Sequence, residues 1–253
     1  MSSNPYETPA LISQYLLFHY GQRAEILPYE AAPHDALDFA VRAVTEMIEL
    51  DALPSTTRAL DLGCAVGRSS FTLSTHCEEV IGIDFSHGFI EAAKRVGSQG
   101  SHPYDRPDEG ALTTPLLAHL PEGARPERVH FQQGDAMDLS EDLGTFDLAL
   151  LANLICRLPE PERCLQRLPD LIRPDGHLII TSPYTWLDEF TPRERWLGGY
   201  RDGEHPIVTI DTLRQALAPD FELVKRKDLP MLIRETKRKF QWTMSEGSLW
   251  KRC

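Results

Sequence analysis

Long apolar runs are missing from this sequence, and none approaches the roughly 20 residues that a membrane-spanning helix needs. The first ten residues also lack the basic start and apolar centre of a signal peptide. Cysteines are few, scattered and without a CxxC pair; they are Cys64, Cys77, Cys156, Cys164 and Cys253. These absences argue against a disulfide framework and a zinc site, and they predict a cytoplasmic protein with reduced thiols.

Positive charge is also scarce, since 38 acidic residues outnumber 26 lysines and arginines and give a formal net charge of −12. Such a field repels phosphate backbones, so we expect no nucleic-acid partner. The basic residues between Lys225 and Lys239 are a local exception, and they suit the solvated edge of a sheet. The nine histidines show no metal-ligand spacing, which predicts that the protein holds no metal.

A chain of 253 residues with 42% hydrophobic residues can bury the core of one α/β domain, so we treat residues 1–253 as a single domain. Apolar residues at helical spacing predict helices at 8–20 and 35–50, within an N-terminal helical cap at 1–50. Thr8 is the expected N-cap of the first helix, and Gly21 suits its end.

Strands and helices alternate in the rest of the chain. The predicted strands are 58–62, 79–83, 129–132, 146–151, 177–181, 221–227 and 248–252, and the helices are 68–75, 88–96, 161–171 and 209–217. This alternation predicts a doubly wound, mostly parallel seven-stranded sheet. Two connections are unusually long, an insertion at 97–128 and an aromatic, charged segment at 182–206, and connections of this length are often lids or binding loops.

Acidic residues stand at the ends of three successive strands. Asp61 precedes the glycine-rich turn at Gly63–Gly67, Asp84 ends the second strand, and Asp135 follows the third. Ligands of open α/β sheets lie beyond the carboxyl ends of the strands, where Asp84 can accept hydrogen bonds from both ribose hydroxyls and Asp135 can contact an adenine amino group. The three residues together predict a nucleoside site.

The glycine pattern favours one kind of nucleoside. A dinucleotide fingerprint reads GxGxxG, whereas this turn has Ala65 at the middle position and no third glycine after Gly67. DLGCAVGRSS, VIGIDFS, QQGDAMDL, FDLALLANLICRL and LPDLIRPDGHLIITSPY instead resemble, in order, the motifs of class I S-adenosylmethionine-dependent methyltransferases. The resemblance implies that fold, S-adenosylmethionine as cofactor and S-adenosylhomocysteine as product. The implied cofactor residues are Asp61, Gly63, Cys64, Ala65, Gly67, Asp84, Phe85, Ser86, Asp135, Ala136 and Asn153.

The flanking segments resemble a narrower family. Asn4–Thr8, Gln14–Gly21, the LPEGARPERVHFQQGDAMDL stretch and residues 233–242 are similar to the 5-thiohistidine (4-mercaptohistidine) N-methyltransferase of ovothiol biosynthesis. That family often occurs as the C-terminal domain of a fused ovothiol synthase, but this sequence contains no sulfoxide-synthase domain. The resemblance therefore implies a stand-alone enzyme that methylates thiohistidine made by a separate sulfoxide synthase.

Candidate catalytic and substrate residues follow from this hypothesis. We predict His19 as the residue to test first as a base, and Asn153, whose amide can orient the imidazole or the methionine moiety, as the second catalytic candidate. The predicted substrate contacts are Tyr15, His19, Tyr20, Arg157, Tyr184, Trp186, Glu189, Arg195 and Trp196. Arg157 can clamp a carboxylate, aromatic residues can enclose the ring, and Glu189 can bind an ammonium. Arg234 and Glu235 are substrate candidates by resemblance alone.

Three other interpretations remain open. The chain can be a methyltransferase for another nitrogen, oxygen or sulfur acceptor, an oxidoreductase with a nicotinamide cofactor, or a binding protein on a methyltransferase fold. The missing glycine argues against the second, and the intact acidic strand ends argue against loss of cofactor binding. Oligomeric state and the methylated ring nitrogen do not follow from the sequence.

Overall fold

The structure, a computed structural model, describes residues 5–253. Asn4, the first residue of the family-like opening, lies outside the described residues, as do residues 1–3 of the expected cap. The strands are β1 Arg58–Leu62, β2 Glu79–Asp84, β3 Ser101–Glu109, β4 Leu112–His119, β5 Val129–Gln133, β6 Phe146–Ala152, β7 Ile172–Ser182, β8 Tyr200–Asp202, β9 His205–Ile207, β10 Phe221–Arg234 and β11 Phe240–Arg252. The α-helices are α1 Pro9–Tyr20, α2 Arg23–Ile26, α3 Phe39–Thr45, α4 Arg68–Ser74, α5 His87–Gln99, α6 Pro161–Leu171 and α7 Thr209–Leu217.

The seven-stranded sheet is confirmed, with the order β10-β11-β7-β6-β1-β2-β5. The strands from β5 to β7 pair in parallel, and β11 and β10 add antiparallel at the β7 edge. Five parallel strands direct their carboxyl ends to one rim, because each returns through a crossover. The predicted strands were too short at β7, β10 and β11. In the structure β10 has 14 residues and β11 has 13, and the two strands continue as a hairpin beyond the part of β11 that pairs with β7.

Buried side chains form a core on each face of the sheet. One core holds Leu16, Phe39, Phe71 and Phe89 from α1, α3, α4 and α5. The other holds Leu165 and Leu213 from α6 and α7, with Trp250 of β11. A sheet covered on both faces has apolar strands, which explains the apolar run at residues 148–152 of β6. Among the described residues, no helix has the length and apolar character to cross a membrane.

The N-terminal prediction was right for the first helix and wrong for the second. The side chain of Thr8 accepts a hydrogen bond from Leu11 N at the start of α1, and Gly21 ends the helix where a Cβ would lie 2.6 Å from Leu17 O. In place of one helix at 35–50, a 3-10 turn, α3 and a second 3-10 turn follow each other. Asp38 interrupts the helix because its φ is 58°, in the left-handed region.

The two long connections are more regular than the sequence indicated. After α5, residues 101–119 form the antiparallel hairpin of β3 and β4. Its prolines, including Pro103, Pro107 and Pro115, concealed the strands, since proline is tolerated only at strand edges. The 182–206 segment contains a 3-10 turn, and its residues 200–202 pair with residues 205–207 in the short β8–β9 hairpin.

Candidate active site

The turn after β1 needs glycine at both of its ends, and at Gly67 a neighbouring ring also leaves no room for a side chain. Gly63 and Gly67 have φ values of 78° and 86°, which side chains rarely adopt. A Cβ on Gly67 would lie 2.5 Å from Cζ of Phe131. A Cβ on Gly82 would lie 2.6 Å from Cδ1 of the same ring. The ring of Phe131 thus fills the space behind the turn, and the N–H groups of Gly63 and Cys64 donate to Ile83 O at 2.7 and 3.0 Å.

Three non-glycine residues at this rim have strained backbones. Ala65, Asn153 and Tyr184 have φ values of 48°, 54° and 52°, and they follow β1, β6 and β7. Left-handed conformations cost about 1–3 kcal/mol each in such residues and cluster at functional sites. Their position supports the prediction that the site lies at the carboxyl ends of the parallel strands.

The carboxylates of Asp61 and Asp84 form the charged centre of the rim. Asp84 accepts hydrogen bonds from Ala65 N at 2.8 Å and Ser86 N at 2.9 Å, so it fixes the glycine turn and the start of α5. Asp61 is 1% exposed and accepts a hydrogen bond from Ser70 Oγ at 2.6 Å. Within residues 5–253 its buried Oδ1 has no partner. Unsatisfied buried acceptors are costly, and this one suits a ligand with a positive charge.

Burial controls the protonation of both carboxylates. It raises the pKa of Asp61 to about 7, and the charge of Asp84 adds to the increase while the bond from Ser70 opposes it. Burial also raises the pKa of Asp84, against the hydrogen bonds from Ser86 and Ala65. A cation placed between the two carboxylates would favour their ionised forms.

The residues that follow β2 and β5 differ in their contacts: two cap turns, one is exposed and one lies in the core. Ser86 is buried as the N-cap of α5, where its Oγ accepts from Phe89 N at 3.1 Å. Phe85 is 57% exposed beside Asp84. Asp135 accepts from Met137 N at 2.9 Å and so caps its own turn, while Ala136 belongs to the second core. The predicted contact of Asp135 with adenine stays a prediction.

The N-terminal segment covers the rim through Tyr6 and Glu7, which the sequence analysis did not select as site residues. Both carboxylate oxygens of Glu7 accept hydrogen bonds from the first N–H groups of α5, His87 N at 2.8 Å and Gly88 N at 3.1 Å. Ser86 Oγ donates to Tyr6 O at 2.9 Å. The PYET sequence gave a signal for this contact, since an acidic residue can bind a helix N-terminus, but it did not show which helix.

Aromatic rings and one arginine complete the roof. The Tyr6 ring lies 6.1 Å from that of Tyr15 and 6.4 Å from that of Phe190, between centroids. Arg157 places its guanidinium 4.7 Å from the Phe190 centroid, hydrogen-bonds to Tyr6 and donates to Thr185 O at 3.2 Å. The structure therefore brings two predicted substrate residues, Tyr15 and Arg157, to one place, together with Phe190, which the sequence analysis missed.

The side chain of Asn153 is already bound within the protein. Its Oδ1 accepts from Thr181 Oγ1 and Ser245 Oγ, both at 3.0 Å, and its Nδ2 donates to Met231 Sδ at 3.0 Å. The network joins β6 and β7 to the β10–β11 hairpin. Asn153 lies at the predicted rim, but the amide atoms expected to orient a ligand fix this hairpin instead.

His19 and Tyr20 lie on the flank of the glycine turn. Tyr20 is buried and its hydroxyl donates to Val66 O at 2.6 Å, so its polar atom fixes α1 to the turn. Burial, with a smaller contribution from the charge of Arg68, lowers the pKa of His19 to about 3. A histidine with this pKa stays neutral and accepts protons poorly at neutral pH, so the environment of His19 does not suit the predicted base.

The predicted aromatic substrate loop is largely structural. Trp186 is 6% exposed and donates to Thr209 Oγ1 at 2.9 Å, and Trp196 donates to Thr191 O at 2.8 Å. Tyr184 donates to Glu246 Oε1 at 2.8 Å. Glu189 is exposed, and exposed Arg195 lies 3.7 Å from Glu160. Of these five residues, Tyr184 lies at the rim after β7, and its hydroxyl, like the ring N–H groups of both tryptophans, is bound by other protein groups.

Arg234 and Glu235 are also held by the protein. Arg234 is 3% exposed and donates to Glu25 O at 2.6 Å and to Asp108 Oδ1 at 2.7 Å, while Glu235 pairs with Lys239. Arg106 donates to the same oxygen of Asp108 at 3.0 Å. This charge cluster joins the β3–β4 hairpin to the end of β10. In residues 5–253, no group of three or more His, Cys, Asp or Glu side chains is arranged to hold a metal.

Comparison with known proteins identifies similar sequences. Two family profiles, each described as a methyltransferase domain, match residues 60–180 and 122–243. A ubiquinone biosynthesis O-methyltransferase of Coxiella burnetii is 25% identical over 123 residues, which cover 49% of this chain and 42% of that protein. O-methyltransferase cnsE of Penicillium expansum is 28% identical over 185 residues, 72% of this chain and 58% of that protein. The chain thus spans about half the length of the curated relatives it matches.

Solved structures show the same fold. The N-methyltransferase NodS of Bradyrhizobium japonicum, in complex with S-adenosylhomocysteine, has a TM-score of 0.53 and 16% identity, with 95% of this chain and 98% of that chain covered. Magnesium protoporphyrin IX methyltransferase of Synechocystis, also with S-adenosylhomocysteine, has a TM-score of 0.52 and 18% identity, with 84% and 82% covered. At these identities the likeness concerns the fold.

Proposed function

We propose that this chain is an S-adenosylmethionine-dependent methyltransferase, that its acidic rim binds S-adenosylmethionine and that it methylates a small molecule; the two methyltransferase-domain profiles and the shared fold support this proposal. When bound, this cofactor would supply a methyl group on a positively charged sulfur. A nucleophile can take the methyl group, with S-adenosylhomocysteine as the leaving group. The observation that carries the proposal is the pair Asp61 and Asp84, with the unpartnered Oδ1 of Asp61 at the glycine turn.

The residues of the rim fit the cofactor. Asp84 still has lone pairs for hydroxyl donors while its oxygens hold Ala65 N and Ser86 N. Gly63 has a φ of 78°, and a Cβ there would lie 3.0 Å from the side chain of Leu154, so the turn can keep this conformation only with glycine. The two carboxylates can neutralise the cationic groups of the cofactor, whereas the pyrophosphate of a dinucleotide would be repelled by them.

For the acceptor, we propose an imidazole nitrogen of 5-thiohistidine, with ovothiol A and S-adenosylhomocysteine as products. The similarity of the flanking segments to the thiohistidine N-methyltransferase family supports this choice, and so does the roof of Tyr6, Tyr15, Phe190 and Arg157, which can enclose a planar ring. The ring nitrogen needs a lone pair, and the proton of the methylated ring then passes to solvent. Positioning and exclusion of water are the main contributions of the protein.

The second candidate is O-methylation of a small hydroxylated acceptor. The names of the relatives in Coxiella burnetii and Penicillium expansum favour it, because both are O-methyltransferases. The residues of the cofactor site serve either acceptor equally, so the distinction depends on the roof. A partnership with a separate enzyme that supplies thiohistidine remains part of the first proposal only.

The two candidates separate in one experiment. Purified protein is incubated with S-adenosylmethionine and, in parallel, 5-thiohistidine, histidine and a catechol acceptor, and products are identified by mass and by the NMR position of the methyl group. We expect an N-methylated product from 5-thiohistidine, with much slower turnover of histidine. Methylation of the catechol alone would support the second candidate, and the absence of a methylated product from any of the three acceptors would contradict both.

A further inference from the structure

A second concave surface lies on the flank of the glycine turn. The cleft has a volume of about 380 Å³ and is formed by the end of α1, the residue before α3, the start of α4 and the loop after β4. Asp61, Asp84 and Asp135 do not line it. The cleft is therefore distinct from the acidic rim, although both contact the same turn.

Arg68 is a cation in this cleft that has no close ion pair in the described part of the chain. Its guanidinium lies 5.9 Å from the centroid of the Tyr20 ring, and burial lowers its pKa. Within residues 5–253 no carboxylate lies within ion-pair distance of it, and it has no side-chain hydrogen bond. The charge of Asp38 acts on it only from beyond ion-pair distance. A partly buried guanidinium without a close counter-ion is costly, and its planar donors match a carboxylate.

Acidic groups also line this cleft. Glu122 is exposed and has no ion pair in the described chain, while Asp38 has a weak contact of 3.9 Å with Arg23. Both carboxylates line the cleft together with Arg68. His19, also in the lining, stays neutral and adds no charge there. Among the described residues, the lining thus holds Arg68 and Glu122 without close ion pairs, beside the weak Arg23–Asp38 pair.

We propose that this cleft binds a free α-amino acid, with its carboxylate on Arg68 and its ammonium group at Glu122 and Asp38. A cleft of about 380 Å³ is large enough for a single amino acid, since small-molecule sites begin at roughly 300 Å³. The bound amino acid contacts Tyr20, whose hydroxyl holds Val66 O in the cofactor turn. Any effect of the amino acid on cofactor affinity is then matched by an equal effect of the cofactor on amino-acid affinity.

The test measures binding without turnover, so it does not depend on the methyl acceptor. L-histidine, histamine, which lacks the carboxylate, and imidazolepropionate, which lacks the ammonium, are titrated by calorimetry into the full chain. We expect L-histidine to bind best. Arg68→Gln is expected to weaken L-histidine binding by about 10- to 100-fold and to leave histamine unchanged, because only the carboxylate contacts Arg68.

Matched variants separate this site from the rim. Arg95→Gln, which replaces an exposed arginine on α5 with no ion pair in the described chain, should bind L-histidine like the wild type. Glu122→Gln should weaken L-histidine and histamine alike, and circular dichroism checks that each variant is folded. Equal binding of L-histidine by Arg68→Gln and wild type would overturn the proposal. So would loss of binding in Arg157→Gln but not in Arg68→Gln, since the amino acid would then occupy the rim.

Discussion

Asp61 sets the charge of the proposed cofactor site near neutral pH, because its pKa is about 7 and its Oδ1 has no partner in residues 5–253. A cationic cofactor binds the ionised carboxylate more tightly than the protonated one. We therefore expect affinity for S-adenosylmethionine to rise as pH increases through 7, with release of a proton on binding. Titration calorimetry in buffers of different ionisation enthalpy measures both effects.

The same group has the opposite effect on the stability of the ligand-free protein. Its folded pKa exceeds the ordinary value of 3.8, so its stabilising contribution is complete below that value and is lost as pH rises through about 7.

Asp61→Asn should flatten the pH dependence of cofactor affinity. A wild-type affinity that stays constant between pH 6 and 8 would contradict the assignment.

Asp84 tests the ribose contact directly. We expect Asp84→Ala to weaken S-adenosylmethionine binding by about 1–3 kcal/mol, since the hydroxyl donors of the ligand and Ala65 N lose an acceptor. Calorimetry measures the loss, and circular dichroism checks the fold. Asp188→Ala, at an exposed position, serves as the control. Unchanged affinity in folded Asp84→Ala protein would refute the ribose role.

Single residues also show what the sequence could predict. Asp61, Asp84, Gly63 and Gly67 were identified because a strand end and a positive φ restrict residue type locally. Asn153 and Trp186 were assigned to ligands, yet their polar atoms bind Ser245 and Thr209, which lie 92 and 23 residues away in the chain. A sequence shows that such a group needs a partner, but it does not show whether the partner is a ligand or a distant hydroxyl.

Among the elements, the link between residues 5–8 and α5 offers a direct test. Glu7→Ala removes both acceptors of His87 N and Gly88 N, and we expect a loss of about 0.5–2 kcal/mol in unfolding free energy. We also expect faster release of S-adenosylhomocysteine, because residues 5–8 lose one of the contacts that hold them on α5, while Ser86 and Arg157 still bind Tyr6. Urea unfolding and stopped-flow dissociation measure the two effects. Glu194→Ala, at an exposed site, should change neither.

The charge cluster joins the β3–β4 hairpin to the end of β10. Removing the charge of Asp108 there should lower the unfolding free energy more than Glu7→Ala does. Asp108→Asn leaves Arg106 and Arg234 without their shared carboxylate, and Arg234 is almost fully buried. We expect destabilisation of roughly 1–3 kcal/mol in urea unfolding. Asp105→Asn on the same strand replaces an exposed residue and should have little effect. Similar unfolding curves for both variants would mean that the cluster contributes nothing.

Elements differed in how well the sequence predicted them. The alternation from β1 to α7 was clear, because strands covered on both faces are apolar and their connections follow one crossover rule. The β3–β4 hairpin was missed because its prolines and exposed positions give no apolar alternation. The predicted helix at 35–50 was too long, since nothing local distinguishes the left-handed Asp38 from a helical residue.

The whole molecule should respond to its ligand as one cooperative unit. A ligand at 100 times its Kd stabilises the folded state by about 2.7 kcal/mol, which corresponds to a Tm increase of roughly 5–10 °C for a chain of this size. We expect this increase with S-adenosylhomocysteine and none with NAD. Differential scanning calorimetry compares them, and an increase with NAD alone would instead support the oxidoreductase interpretation.

The ring of Phe131 behind the glycine turn has an evolutionary consequence. It comes from β5 yet occupies the space where a side chain at Gly82 of β2 would stand, and Gly82 has an ordinary backbone conformation. An alanine at 82 is therefore compatible with the fold only when position 131 carries something smaller than phenylalanine. Among homologous chains these two positions should vary as a pair, large with small, while position 67 stays glycine whatever its neighbours become.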